Sequence, residues 1–199
     1  MRRLGFQGRI ISFEPVQQCF EDLAQSAEGD GNWEAHRLAL GASDGVLTMN
    51  VTRDDVFSSF LRPNREAHRM FADNSAVLRE EEVPVRRLAT LLPDLVPRGF
   101  WATTHLKTDT QGSDAAVLAG LDTLLDALPS LQVEVSLVRI YENQPDYFEM
   151  LGPLHKRGFR LTGLLPISRD SELRIVEADA VLRRTPSEEA PQAHARYTA

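Results

Sequence analysis

The sequence predicts an α/β domain: a mostly parallel sheet, helices on both its faces, and an antiparallel hairpin at its C-terminal edge. Three observations predict it. Apolar segments of period two alternate with segments of helical period, the pattern of parallel strands joined by crossover helices. Clusters of proline, glycine and Asx residues punctuate the alternation. The last two strand-like segments, 159–165 and 178–183, flank the turn Ser168-Arg169-Asp170-Ser171 with no helix between them, so they pair antiparallel.

The elements follow in order. Residues 1–8 are short, basic and glycine-containing. Arg9-Ile10-Ile11-Ser12-Phe13 is a compact strand that Glu14-Pro15 ends, because proline cannot continue a ladder and suits the first turn of a helix. A helix over 16–27 carries Val16, Cys19, Phe20 and Leu23 on one face. Residues 33–40 read as a second strand and 46–52 as its antiparallel hairpin partner, since so short a link leaves no room for a parallel crossover. Residues 53–82 lack a clear period and read as a long surface excursion with some helix, the kind of segment that serves as a lid or binding loop. Residues 83–88 are strand-like, and 91–95 form a short helix or turn between Pro93 and Pro97.

The next stretch organises the rest. His105-Leu106-Lys107-Thr108-Asp109-Thr110-Gln111-Gly112 passes from a short strand into an acid, an amide and a glycine. A helix follows, with Ser113 as its cap, Asp114 in its first turn, and Val117, Leu118, Leu121, Leu124, Leu125 and Leu128 on one face. Segment 109–112 is therefore a strand-to-helix turn, and ligands of open α/β sheets bind beyond the carboxyl ends of strands, where such turns lie. The alternative reading is a helix-capping turn whose polar groups satisfy their own backbone. In 131–140, Leu131, Val133, Val135 and Leu137 share one face, and Gln132, Glu134 and Ser136 share the other. A polar face on an internal strand needs partners or a wet cleft. Pro145-Asp146 starts a helix that Gly158 ends, and from residue 185 the composition predicts a disordered tail.

Composition excludes several classes. The chain has 199 residues, enough for one domain with a full core. Its 42% hydrophobic and 26% charged residues are ordinary for a globular protein. A net charge of −7 argues against a general binder of nucleic acid or anionic membrane. One cysteine, Cys19, rules out an internal disulfide and agrees with a cytoplasmic location. No apolar run has the length of a membrane span, and no signal peptide follows Arg2-Arg3. His36, His68, His105, His155 and His194 are scattered without zinc-site spacing, so no metal is expected.

Several short pieces come in a characteristic order: Ile11-Ser12-Phe13-Glu14-Pro15, Ala39-Leu40-Gly41, Ser58-Ser59, Leu106-Lys107-Thr108-Asp109-Thr110-Gln111-Gly112 and Val117-Leu118-Ala119-Gly120. Glu134, Tyr141, Gly158-Phe159 and Glu177-Ala178-Asp179-Ala180-Val181 continue it. Together they resemble the FkbM family of S-adenosylmethionine (SAM)-dependent methyltransferases, over roughly residues 8–184. The resemblance implies a class I methyltransferase fold, with a Rossmann-like, mostly parallel sheet, over 1–184. It implies SAM as cofactor. Glu14 would take the ribose hydroxyls, Ala39 and Leu40 would border the adenine, and Asp109 and Gln111 would lie beside donor and acceptor. Asp109 and Glu134 are the implied catalytic residues, facing a small-molecule or carbohydrate hydroxyl. Met1 falls where the family's first helix would be ending, so the resemblance implies a domain truncated at its N-terminus, without the first strand and glycine-rich loop. A non-catalytic Rossmann-like binding module is the alternative, and a homo-oligomer is left open.

Overall fold

The structure, a computed structural model, describes residues 2–185. The tail expected beyond Thr185 lies outside the described residues. Strand β1 (Ile10–Phe13) runs into helix α1 (Gln17–Ala27) through Glu14-Pro15, as its proline predicts. Strand β2 (Trp33–His36) then pairs parallel with β1, from Ile10 opposite Trp33 to Phe13 opposite His36.

Here the structure departs from the single strand expected over 33–40. The Leu38 N–H bonds the His36 carbonyl, which turns the chain, and β3 (Ala39–Leu40) begins with a new partner. That partner is β5 (Val77–Arg86), in parallel. Strand β4 (Gly45–Thr52) pairs antiparallel with β5 as well, not with the preceding strand. The order is β3-β5-β4, so the link Gly41-Ala42-Ser43-Asp44 crosses the end of β5. The excursion between β4 and β5 contains helix α2 (Arg65–Phe71) and short 3-10 turns, and the charged run Arg79 to Glu82 is strand, not loop. Charge is tolerated there because β3 reaches only Val85 and Arg86 of β5. The first half of β5 is one arm of the β4–β5 ribbon, where Val77 to Glu80 are exposed while Asn50, Val51 and Thr52 opposite them are buried.

Helix α3 (Leu88–Leu95) and β6 (His105–Lys107) lead to α4 (Asp114–Leu121), β7 (Ser130–Ser136), α5 (Tyr147–Lys156), β8 (Phe159–Arg169) and β9 (Ile175–Arg184). Their sheet has the order β6-β7-β9-β8, with β6 and β7 parallel and the terminal hairpin antiparallel as expected. The architecture is mixed α/β, in three separate sheets. The parallel pairs are β1–β2, β3–β5 and β6–β7, and the antiparallel pairs β4–β5, β7–β9 and β8–β9, so parallel pairing does not dominate.

The largest core lies under one face of the β6–β9 sheet. Leu131, Val133 and Val135 of β7 and Ala178, Ala180 and Leu182 of β9 meet Leu88 and Leu92 of α3, Leu118 and Leu121 of α4, and Met150 and Leu154 of α5. Leu137 falls beyond β7 and is exposed. The apolar face expected to run unbroken to Leu128 is interrupted: Asp122 takes a positive φ, α4 stops, and a 3-10 turn still delivers Leu125 and Leu128 to the core. A smaller cluster joins Val16, Ala39, Met49, Val51, Val83 and Val85, with Cys19 against it. Burial and the nearby Glu14 and Asp55 carboxylates push the Cys19 thiol up to about 12, so it is inert packing. Among the described residues no helix is long and apolar enough to cross a membrane.

Candidate functional site

The site is built by the turn after β6. Thr108 extends the ladder, its N–H on the Gln132 carbonyl at 2.8 Å. Gln111 (φ 49°) and Gly112 (φ 86°) then reverse the chain in left-handed backbone. Gly112 suits that φ, and a Cβ there would lie 3.2 Å from Gln144 Nε2, Leu61 Cδ1 and Tyr141 Cδ2. Ser113 makes no side-chain cap bond. Asp114 closes the turn instead, accepting from the Thr110 hydroxyl at 2.9 Å and the Thr110 N–H at 3.3 Å. Burial raises the Asp114 carboxyl, and the Thr108 and Thr110 contacts oppose that rise. Helix α4 is anchored by a backbone approach: a Cβ on Gly120 would stand 2.0 Å from the Gly41 carbonyl oxygen.

Three of the residues expected in the site come together here. Gln111 Nε2 lies 3.2 Å from Glu134 Oε2 and 3.4 Å from Asp109 Oδ1. Tyr141 donates its hydroxyl to Gln111 Oε1 at 2.9 Å, which fixes the amide's orientation. The Ser59 hydroxyl donates to the Gln111 carbonyl at 2.6 Å, and Asn64 N–H bonds the Ile140 carbonyl at 2.9 Å. The excursion after β4 is thus one wall of the site. Asp109 is exposed, with the Lys107 ammonium 2.8 Å from its Oδ2. Glu134 is buried at 5% exposure, and burial, then Glu177, Asp109, Asp114 and Asp179, raise its carboxyl well above the usual range. Below it, Gln132 Nε2 donates to Asp179 Oδ2 at 2.7 Å. The polar face of β7 therefore finds side-chain partners, as its pattern requires.

Glu14, Ala39 and Leu40 stand outside this network. Glu14 Oε1 accepts the Val16 N–H at 2.8 Å, the local bond that starts α1. Burial raises its carboxyl, the Val16 contact opposes this, and Asp55 adds to it. Beside it the Phe13 and His36 rings stack at 5.5 Å. Ala39 is buried in the smaller cluster and Leu40 half-buried against the larger core. A cavity of about 770 Å³ between α1 and β2, lined by Gln18, Asp22, Gln25, Glu28, Trp33 and Ala35, includes none of the expected site residues. Among the described residues no group of His, Cys, Asp and Glu is placed to hold a metal.

Sequence reasoning assigned no site role to Tyr141, Ser59 or Glu177, although it singled out the segments that contain them, and it read Asp114 only as an acid in the first turn of its helix. Their signal was a hydroxyl or acid in an apolar context. Which cluster each joins depends on strand pairing.

A family model, described as the methyltransferase FkbM domain, matches residues 1–161. The chain belongs to the FkbM methyltransferase family. The match covers β1 through α5 and the start of β8, and so every residue of the turn network except those of β9. No curated protein and no solved structure matches the chain. The activity class that FkbM membership supplies is SAM-dependent methyl transfer.

Proposed function

We propose that this FkbM domain methylates an oxygen nucleophile on a small molecule or sugar, with the turn after β6 as the reaction site. The observation that carries the reading is the convergence of Asp109, Gln111 and Glu134 at the carboxyl end of β6, on a turn held in left-handed backbone. Glu14 supports the donor's placement. It is a half-buried carboxylate at the end of β1, with Oε1 committed to Val16 and Oε2 left for the paired hydroxyls of a ribose. Ala39 and Leu40 supply apolar contact at the end of β3 for the adenine.

When bound, SAM supplies a methyl carbon whose bond to the sulfonium breaks with its electron pair passing to sulfur. The protein's work is alignment and removal of one proton. Asp109, exposed and paired with Lys107, orients the acceptor hydroxyl by hydrogen bonding. Glu134, in the ionised form that burial disfavours at neutral pH, takes the hydroxyl proton. Gln111 holds its amide between the two carboxylates.

Calorimetry with SAM and S-adenosylhomocysteine tests this, on the wild-type chain and on Glu14→Ala. Binding that weakens in the variant, with folding stability little changed, supports the donor site. Equal affinity in both removes Glu14 from it, and no binding by the wild-type chain favours a non-catalytic binding module.

A further inference from the structure

Two buried carboxyls are neighbours on the polar face of the sheet. In the β7–β9 ladder Glu134 is opposite Asp179, and Ser136 is opposite Glu177. Opposed residues share a face, and so do residues two apart, so Glu134 and Glu177 are diagonal neighbours across the strands. They are 5% and 4% exposed. Donors are few. Both Glu134 oxygens face the single amide of Gln111, at 3.5 and 3.2 Å. Glu177 Oε2 accepts from the Ser168 hydroxyl at 3.0 Å. Glu177 Oε1 is buried with no hydrogen-bond partner.

The groups around the pair do not neutralise it. They are Asp179 on β9, Asp109 of the turn, Asp114 of α4, Tyr141 after β7 and Lys107 of β6. Lys107 is the one cation among them, and its ammonium sits on Asp109. Two ionised carboxylates in so dry a place, without a cation between them, repel each other and forfeit hydration. One proton held between them removes a charge and gives the orphan oxygen a partner.

We propose that Glu177 is a positioning residue of the methyl-transfer site, sharing one proton with Glu134 so that the pair presents a single negative charge to Gln111. The functional part of this rests on the turn being that site. The shared proton fixes the pair as a single anion near neutral pH, and that anion orients the Gln111 amide through a charge-assisted hydrogen bond. A merely structural Glu177 would instead titrate without regard to Glu134.

The test is urea unfolding from about pH 5 to about pH 9, for wild type, Glu134→Gln, Glu177→Gln and the double variant. A proton held only by the folded state lowers the folding equilibrium constant about tenfold per pH unit. Each single variant is expected to lose one proton's worth of that slope, and the double variant no more than either. An unchanged slope in Glu177→Gln, or losses that add in the double variant, overturns the proposal. Should a variant fail to fold, the infrared spectrum of wild-type protein carrying ¹³C-labelled glutamate decides. A protonated, buried glutamate band at neutral pH is expected, and its absence overturns the proposal. Neither readout uses a methyl donor. Failure to bind SAM therefore sinks the methyl-transfer reading and leaves the pair standing, while additive slopes sink the pair alone. In a chain shown to turn over, Glu177→Gln should lower kcat and move its pH profile, with the KM for donor unchanged.

Discussion

Gly120 and Gly41 meet backbone to backbone, and the contact sets where α4 and the turn before it lie relative to β3. A methyl group on Gly120 would fall 2.0 Å from the Gly41 oxygen, so helix or strand must move. Gly120→Ala should therefore destabilise by about 1–3 kcal/mol in urea unfolding. Gly152 in α5 has nothing within 4 Å of its own added Cβ. Gly152→Ala is the control, and should be neutral or stabilising by up to about 1 kcal/mol. At the same scale, Asp109→Asn keeps the shape but removes the charge. If Asp109 orients the acceptor, kcat should fall about ten- to a hundredfold, the worth of one charge-assisted hydrogen bond, with SAM affinity little changed. Unchanged turnover would remove it from the mechanism.

Helix starts in this chain are secured in different ways. Helix α5 has a complete capping box, with Asp146 accepting from the Phe148 and Glu149 N–H groups and Glu149 reaching back to the Asp146 N–H. Its start at Pro145-Asp146 was local and legible, and the structure adds Glu149 as the second half of the box. Helix α4 starts instead from buried Asp114, whose partner Thr110 lies in the turn before it. Asp146→Ala should lower the urea midpoint modestly and leave ligand binding intact, because α5 lies on the core side of the sheet. Asp114→Ala should lower stability and also loosen the turn, reading out as weaker order at Gln111 in amide exchange. Equal exchange at Gln111 in the two variants would separate Asp114 from the site.

Across the whole molecule the buried carboxyls titrate with one sign near neutral pH, and His105, lowered by burial, opposes them there. Glu134, Glu177, Asp114 and Glu14 all have carboxyls raised first by burial. The folded state therefore keeps protons that the unfolded chain releases above its ordinary carboxyl values of 3.8 and 4.5. That stability is full below those values and is lost as pH rises through the folded ones. Asp30, Asp126, Asp146 and Asp170 are lowered and act oppositely, losing stability as pH falls through their folded values. The melting temperature should peak on the acidic side of neutrality and fall toward pH 9; a curve that rises through this range would contradict the burial of these carboxyls.

Local chemistry was enough to place β1 and its Pro15 stop, the alternation of β7, the turn at Gln111-Gly112, α5 and the terminal hairpin. Each follows from a period, a cap or a restricted dihedral within a few residues. The order of pieces along the chain was enough to reach the FkbM family. Tertiary structure alone decided that β3 and β4 both flank β5, that the charged run Arg79 to Glu82 extends a ribbon, and that α4 breaks at Asp122 while its leucines still reach the core. It also decided which acids become neighbours. The Gln132, Glu134 and Ser136 face was visible in sequence, but Glu177 lies on a strand that reaches it only through the β7–β9 register. Periodicity is set by the backbone of one segment, whereas register is set by apolar burial and ladder bonds between segments far apart in the chain.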